Sequence, residues 1–235
     1  MLLVIPRHYR RNRDQKSDPL SLPLVLRVAL GCIAAVWKER PVNSVAWIAN
    51  DEPDQDECQS VPRAANQRFA WIPGSEIAVS SELSADRDAL MNEWDHLEPD
   101  TYLRDDASFR FRGFGYFDLH PPSGKVRRLR DGSYYQSREI NSYAGGIERH
   151  LEPLPDSAAD NHCLEELIRF DFAQLPIDDD RAREIWRIDV HFFRVIGRTD
   201  EAGEPGPEGI HRDGEEFGAI RLIQRDNAAG GVNTV

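Results

Sequence analysis

A histidine and an aspartate late in the sequence have the spacing of two metal ligands. His211 and Asp213 are separated by a single residue. On an extended strand both side chains project to the same side, because side chains alternate with a period of two residues, whereas a helix would point them apart. With one further histidine, such a pair forms the 2-His-1-carboxylate site, which holds Fe(II) and leaves positions open for oxygen and an organic co-substrate. The pair therefore predicts half of an iron site.

The spacing alone is weak evidence. Seven histidines and 41 acidic residues in 235 positions give about one such pair by chance. Three occur, namely His96 with Glu98, His150 with Glu152, and His211 with Asp213. The first pair ends a predicted helix, where residues two apart do not share a face, and the second precedes two prolines in a segment that we expect to be solvated. The third pair alone has supporting sequence around it.

That support is a series of segments in a particular order. They are residues 110–116, which are rich in arginine and aromatic residues; residues 134–139 with Asn141, Gly145, Gly146 and Arg149; residues 191–195; and Arg225, Asn227, Gly230 and Gly231. With these segments, the sequence from about residue 100 to residue 235 resembles the bacterial Fe(II)/2-oxoglutarate dioxygenase family that includes free L-amino-acid hydroxylases of the L-isoleucine type. The resemblance covers a little over half of the chain.

The resemblance implies a cofactor, a co-substrate and a set of site residues. It implies that His211 and Asp213 bind Fe(II), that 2-oxoglutarate chelates the iron, and that a small free amino acid or a related metabolite is hydroxylated. Arginine binds a carboxylate through two parallel hydrogen bonds, so arginines on matching segments are candidates for binding the substrate or 2-oxoglutarate. The candidates, including two amides, are Arg112, Gln136, Asn141, Arg149 and Arg194. Surface ion pairs and turn contacts are the alternative roles for these residues.

The third metal ligand of the family is absent from this sequence. In the family, a histidine and an arginine for the far carboxylate of 2-oxoglutarate follow the glycine pair by several dozen residues. Here residues 232–235 alone follow Gly231. We therefore expect either a C-terminally shortened form of an active enzyme or a naturally short chain that holds iron poorly. Metal affinity depends on the number of ligands and on the surrounding residues that hold those ligands in place.

Composition narrows the class of protein. A net charge of -12 argues against nucleic acid as the main partner, because such proteins present basic surfaces to phosphates. Three scattered cysteines predict neither a disulfide framework nor a zinc site, and a reducing cytoplasm fits them. The apolar residues 22–37 include Pro23 and Arg27 and are shorter than a membrane span. We expect a packed helix there and no membrane association, with a signal or anchor as the alternative.

The pattern along the chain predicts a mainly β fold with flanking helices, a double-stranded β-helix of the jelly-roll or cupin-like kind that is incomplete at its C-terminus. Residues 1–78 are expected to form an N-terminal extension of uncertain structure, and residues 79–235 the dioxygenase-like domain without its last strands.

Several local elements are also predicted. Ser84 and Asn161 are expected to cap helices. Residues 185–196 and 217–223 are predicted to form strands, and Trp94 and Trp186 are expected in the core. Gly113 and Gly115 indicate a bulge or a close backbone approach.

Three functions stay open at this point. The first is an Fe(II)- and 2-oxoglutarate-dependent oxygenase acting on a small molecule. The second is a non-catalytic pseudoenzyme or small-molecule-binding jelly-roll module. The third, a hydrolase that uses a carboxylate and a histidine, is disfavoured because no nucleophile elbow or activated serine or cysteine is visible in the sequence. The oligomeric state, the amino acid and the carbon that is oxidised are not readable from the sequence.

Overall fold

The computed structural model describes residues 2–6, 25–34, 70–77, 79–129, 132–198, 201–204, 206–207 and 214–226. The strands are β1 Leu2–Pro6, β2 Val25–Ala34, β3 Ala70–Ile72, β4 Glu98–Pro99, β5 Arg110–His120, β6 Lys125–Leu129, β7 Tyr134–Tyr135, β8 Glu148–Arg149, β9 Trp186–Ile196 and β10 Phe217–Asp226. The α-helices are α1 Ser84–Asn92, α2 Asp156–Ala159 and α3 His162–Ala173. Short 3-10 helices are formed by Gly74–Glu76, Ser81–Leu83, Glu93–His96, Pro121–Ser123 and Arg181–Arg183. None of the helices described is both long and apolar enough to span a membrane.

One large antiparallel sheet organises the chain. Its strands follow the order β3-β1-β10-β2-β9-β5-β4, and β6 also pairs with β5. A second, two-stranded sheet is formed by β7 and β8, which are joined by a loop. Helices are few and flank the strands. The prediction of a mainly β, jelly-roll-like fold with flanking helices is therefore confirmed.

The hydrophobic core lies between the helices and one face of the large sheet. Side chains alternate along a strand, so β5 and β9 each direct every second residue into this layer. Phe117, Ile188 and Phe192 are buried there, and the ring of Phe192 stacks on Trp94 with centroids 3.9 Å apart. Trp94 and Trp186 are both buried in this core, as predicted.

The two glycines of β5 mark a close approach of neighbouring side chains. The register between β5 and β9 runs without a shift from Arg110 to Leu119, so no bulge is present there. A Cβ atom on Gly113 would lie 3.0 Å from methyl carbons of both Leu97 and Leu154. Of the two roles that the sequence allowed for these glycines, the structure shows the close approach.

The predicted helix caps have different outcomes. The side chain of Asn161 accepts hydrogen bonds from the backbone N–H groups of Cys163 and Leu164, so it caps α3 as predicted. Ser84 instead is the first residue of α1, and the preceding Leu83 offers no side-chain cap. Ser80 caps the preceding 3-10 helix, because its side chain accepts a hydrogen bond from the backbone N–H of Glu82.

The prediction of a packed helix within residues 22–37 is wrong. Val25–Ala34 forms strand β2, which pairs with β10 on one side and with β9 on the other. A strand in the interior of a sheet can be apolar throughout, and periodicity does not distinguish such a run from a buried helix. The large sheet thus takes β1, β2 and β3 from residues 1–78.

Candidate functional site

Four of the predicted site residues meet on the face of the large sheet that is turned away from the helices. Arg112 projects from β5, and the ribbon of β7 and β8 brings Gln136, Asn141 and Arg149 over it. His191 of β9 joins them, because it stands opposite Phe114 in the β5–β9 register and so points to the same face as Arg112. All five side chains are buried. We call these five residues the arginine–histidine cluster.

Arg112 and His191 are in direct contact. Arg112 Nη2 lies 2.7 Å from His191 Nδ1. Burial, with the neighbouring Arg112, Arg149 and Arg110, lowers the pKa of His191 well below its ordinary value. The imidazole is therefore neutral, and since arginine can only donate, Nδ1 accepts the hydrogen bond and Nε2 carries the proton. Burial also lowers the pKa of Arg112 to about 10, against the opposing effect of Asp100.

Gln136 connects the two halves of the ribbon. Its Oε1 accepts hydrogen bonds from Arg149 Nη2 at 2.6 Å and from Asn141 Nδ2 at 2.9 Å. Asn141 Oδ1 in turn accepts from the backbone N–H groups of Tyr143 and Ala144, at 3.0 and 2.7 Å. The two amides therefore hold the loop closed and fix the position of the Arg149 guanidinium.

The charges near the cluster are predominantly positive. Asp100 pairs with Arg110 at 2.9 Å and lies 3.7 Å from Arg112, whereas Arg149 is held by the neutral Gln136. The Arg149 guanidinium also lies over the Tyr134 ring, 4.7 Å from its centroid. Among the described residues, Arg112 Nε, Arg149 Nε and His191 Nε2 are buried and have no hydrogen-bond partner. Buried charges are expensive unless paired, so this arrangement fits an anionic ligand such as a carboxylate.

A buried carboxylate lies on the same face, next to the cluster. Asp189 stands opposite Tyr116 and is two residues from His191 along β9. Its Oδ1 is buried and has no hydrogen-bond partner among the described residues. Burial and the nearby Glu215 raise the pKa of Asp189 well above its ordinary value, with Arg187 opposing.

Arg194, the remaining arginine candidate, is not brought to the cluster. It stands opposite Phe111 in the β5–β9 register and so points to the helical face. Arg194 Nη1 donates to the backbone oxygen of Asp95 at 3.1 Å, and the guanidinium lies 4.5 Å from the centroid of the Phe111 ring. The structure gives it contacts between the sheet and the helical layer.

The predicted iron ligands, His211 and Asp213, lie outside the described residues. Within the described part of the chain, no group of three His, Cys, Asp or Glu side chains could hold a metal ion. The other histidine–acid pairs are exposed at His96, Glu98, His150 and Glu152, as expected. The donors of the arginine–histidine cluster fit a carboxylate, and therefore a group of the kind that 2-oxoglutarate carries.

Comparison with known proteins identifies the family. A model of the 2OG-Fe dioxygenase family matches residues 91–235. The chain belongs to the 2OG-Fe dioxygenase family. The predicted family is thus confirmed, and membership implies Fe(II) and 2-oxoglutarate as cofactor and co-substrate, as the resemblance did.

Two individual proteins are similar to this 2OG-Fe dioxygenase family member. An L-isoleucine-4-hydroxylase of Bacillus thuringiensis is 27% identical over 138 residues, which are 57% of this chain and 57% of the hydroxylase. The match thus spans little more than half of that relative. The crystal structure of a bsmA homolog from Methylobium petroleophilum PM1 is 22% identical, with a TM-score of 0.47, and the match covers 60% of this chain and 70% of that one.

Sequence reasoning missed His191, Asp189 and Asp100 as members of the site. His191 was recognised as part of a matching strand and not as a site residue. The alternation along β9 offered a signal, because residues 189, 191 and 193 must share one face. The pairing of that face with Arg112 depends on the register of β5 against β9, which the sequence does not show.

Proposed function

We propose that the protein is a cytoplasmic Fe(II)- and 2-oxoglutarate-dependent oxygenase that hydroxylates a small free amino acid or a related metabolite. In this proposal His211 and Asp213 bind the iron. Arg112 and Arg149 bind carboxylate groups of the substrate or of 2-oxoglutarate, while Gln136 and Asn141 hold Arg149 in place. The bound iron, with 2-oxoglutarate and oxygen, supplies the oxidising power for attack on an unactivated carbon.

One structural observation carries the proposal. Arg112 on the sheet and Arg149 on the ribbon above it are buried, and their Nε–H groups have no hydrogen-bond partner among the described residues, within a chain whose family uses an anionic co-substrate. Buried donors of this kind are already oriented before a ligand arrives, which lowers the cost of ordering them on binding. The rings of Tyr134 and Phe193 flank Arg112, at 5.7 and 4.9 Å, and keep bulk water from its guanidinium.

The test measures Fe(II) binding under anaerobic conditions and succinate release with a panel of aliphatic amino acids, using the full-length protein. His211→Ala should abolish iron binding and succinate release. The matched variant Arg212→Ala should retain both, because the side chain between two ligands on a strand faces away from the metal. Tight binding of 2-oxoglutarate without succinate release from any panel member would favour a non-catalytic binding module instead.

A further inference from the structure

Two buried arginines on separate elements meet at one aromatic ring. The guanidiniums of Arg112, on the sheet, and Arg149, on the ribbon, lie 5.7 and 4.7 Å from the centroid of Tyr134. Like charges in a buried site repel each other. Gln136 binds Arg149 but belongs to the same ribbon, so it does not hold the ribbon to the sheet. Contacts from outside the ribbon must keep the two arginines together.

The chain between β4 and β5 supplies one such contact beside Arg149. We call residues 100–107 of this segment the clamp loop. The backbone N–H of His150 donates to the Tyr102 hydroxyl over 2.8 Å. Because His150 directly follows Arg149, this bond fixes the main chain next to the buried guanidinium.

Arg104 of the clamp loop holds a second point on the ribbon. Its backbone N–H donates to the Tyr143 hydroxyl over 2.7 Å. Its Nη2 donates to the backbone oxygen of Ser142 over 2.9 Å and also to that of Tyr143. The guanidinium lies 4.4 Å from the centroid of the Tyr143 ring. Since Asn141 Oδ1 accepts from the Tyr143 N–H, Tyr143 is held between the clamp loop and the amides of the cluster.

Asp100 ties the clamp loop to the strand that carries Arg112. Its carboxylate Oδ1 accepts from the backbone N–H of Tyr102 over 3.0 Å. Its Oδ2 pairs with Arg110 over 2.9 Å and lies 3.7 Å from Arg112. The side chain is fully buried, and a buried carboxylate is costly to separate from its partners. One end of the clamp loop is therefore fixed to β5.

The turn of the clamp loop is held in a costly conformation. Asp105 and Asp106 have φ angles of 58° and 54°, in the left-handed region that is unfavourable for residues with a Cβ atom. Such a conformation persists where surrounding contacts determine it. Leu103 and Ala107 pack on the apolar side chains below the loop, and Arg104 supplies the contacts to the ribbon.

We propose that Tyr102 and Arg104 are positioning residues, which hold the Arg149 guanidinium beside Arg112 so that one anionic group can bind to both. The bonds between Phe114 and the chain at Glu152 and Leu154 hold the ribbon on its C-terminal side, whereas the clamp loop holds residues 142–150. The identity of the anion rests on the proposed function, but the position of Arg149 does not.

The position of Arg149 can be measured without a ligand. In 15N NMR spectra of the full-length protein, its buried Nε–H should be protected from exchange with water, and Arg149→Met assigns the signal. Tyr102→Phe removes one oxygen atom, so this signal should shift and exchange about fivefold faster, as expected for the loss of one hydrogen bond. The signal of Arg221, on the helical side, should stay in place. An Arg149 signal that is unchanged in Tyr102→Phe would overturn the proposal.

A second pair of variants tests Arg104. Arg104→Met should also shift the Arg149 signal, and Arg104→Lys should recover part of the change, because an ammonium group can donate to one of the two backbone oxygens. Tyr135→Phe and Arg183→Met are the controls, since these side chains are 59% and 72% exposed, and both should give the wild-type signal. An Arg149 signal that stays in place in Arg104→Met contradicts the role given to Arg104.

The effect on binding is measured by calorimetric titration with 2-oxoglutarate. Tyr102→Phe should weaken the affinity about fivefold in the wild-type background and leave it unchanged in the Arg149→Met background, because the two residues act through one another. Equal weakening in both backgrounds would reveal a general loss of structure and defeat the proposal. A shifted Arg149 signal in a protein that never binds 2-oxoglutarate would retain this inference and remove the proposed function. Binding of 2-oxoglutarate with an unmoved Arg149 signal would do the reverse.

Discussion

Arg112 of β5 donates a hydrogen bond over 2.7 Å to Nδ1 of His191 on the neighbouring strand β9. Both side chains are buried, and the contact crosses the two strands diagonally, since the register places His191 opposite Phe114. The guanidinium thereby selects the imidazole tautomer, and the imidazole orients the guanidinium. Each residue of the pair positions the other for a ligand.

Arg112→Met should change the tautomer of His191 and the affinity for a ligand while the protein stays folded. Methionine keeps the apolar stem and removes the donor to Nδ1, so the histidine should populate both neutral tautomers in 15N NMR spectra. The affinity for 2-oxoglutarate or for the amino acid substrate should fall by about tenfold or more, because a buried charged hydrogen bond is lost. Arg183→Met is the control, as that arginine side chain is 72% exposed. An unchanged tautomer and unchanged affinity would contradict the role given to Arg112.

Two substitutions of Gln136 should separate its contribution to stability from its effect on the charge next to Arg149. Gln136→Leu leaves Arg149 and Asn141 without their acceptor, which should reduce the free energy of unfolding by about 2 kcal/mol. Gln136→Glu keeps the acceptor and adds a negative charge next to Arg149, so the folded protein should be retained while anionic ligands bind more weakly. Urea unfolding and calorimetric titration with 2-oxoglutarate measure the two effects. Tighter 2-oxoglutarate binding in Gln136→Glu would exclude Arg149 from the anion site.

The buried pair of Asp171 and Arg221 on the helical side should make stability depend on pH. Burial raises the pKa of Asp171 to about 6, although Arg221 donates to it over 2.6 Å and opposes the shift. In the unfolded chain the carboxyl ionises near pH 4, so between pH 4 and 6 the folded state binds more protons, and the contribution of this group to stability falls as the pH rises.

Asp171→Asn removes that titration. The difference in unfolding free energy between the wild-type protein and this variant should decrease by up to about 3 kcal/mol from pH 4 to pH 7. Urea unfolding at a series of pH values measures it. Parallel pH curves for the two proteins would show that the Asp171 pKa is not raised on folding.

The close approach at Gly113 should be sensitive to a single methyl group. Gly113→Ala places a carbon 3.0 Å from methyl groups of Leu97 and Leu154, and the cost of such overpacking is about 1 kcal/mol or more. Gly206→Ala is the matched change, because no described residue lies within 4 Å of its added carbon, and it should leave the urea midpoint unchanged or slightly raised. Equal midpoints for the two variants would mean that the leucines move aside freely.

The sequence predicted those parts of the fold that depend on local patterns. Strands β9 and β10 were located within a few residues because their apolar alternation is long, and α3 because Asn161 is a strong cap. Strand β2 was mistaken for a helix, since its position between β9 and β10 depends on residues more than 150 positions away. Long-range pairing of that kind has no local signature.

The candidate site was predictable to a similar extent. Arg112, Gln136, Asn141 and Arg149 could be named from their segments, and the structure brings them together. Arg194 belongs to an equally matching segment, yet strand alternation turns it away from His191 to the other side of the sheet. His191 itself has a role that only its contact with Arg112 reveals, because the identity of a buried histidine does not indicate what its free nitrogen faces.

The chain that leaves β8 is fastened to the large sheet directly beside the cluster. Phe114 N donates to Glu152 O over 2.9 Å, and Leu154 N donates to Phe114 O over 2.7 Å. These two bonds anchor one end of the ribbon that carries Tyr134 and Arg149. A ligand of Arg149 therefore meets a guanidinium whose supporting strand is tied to the same strand, β5, that carries Arg112.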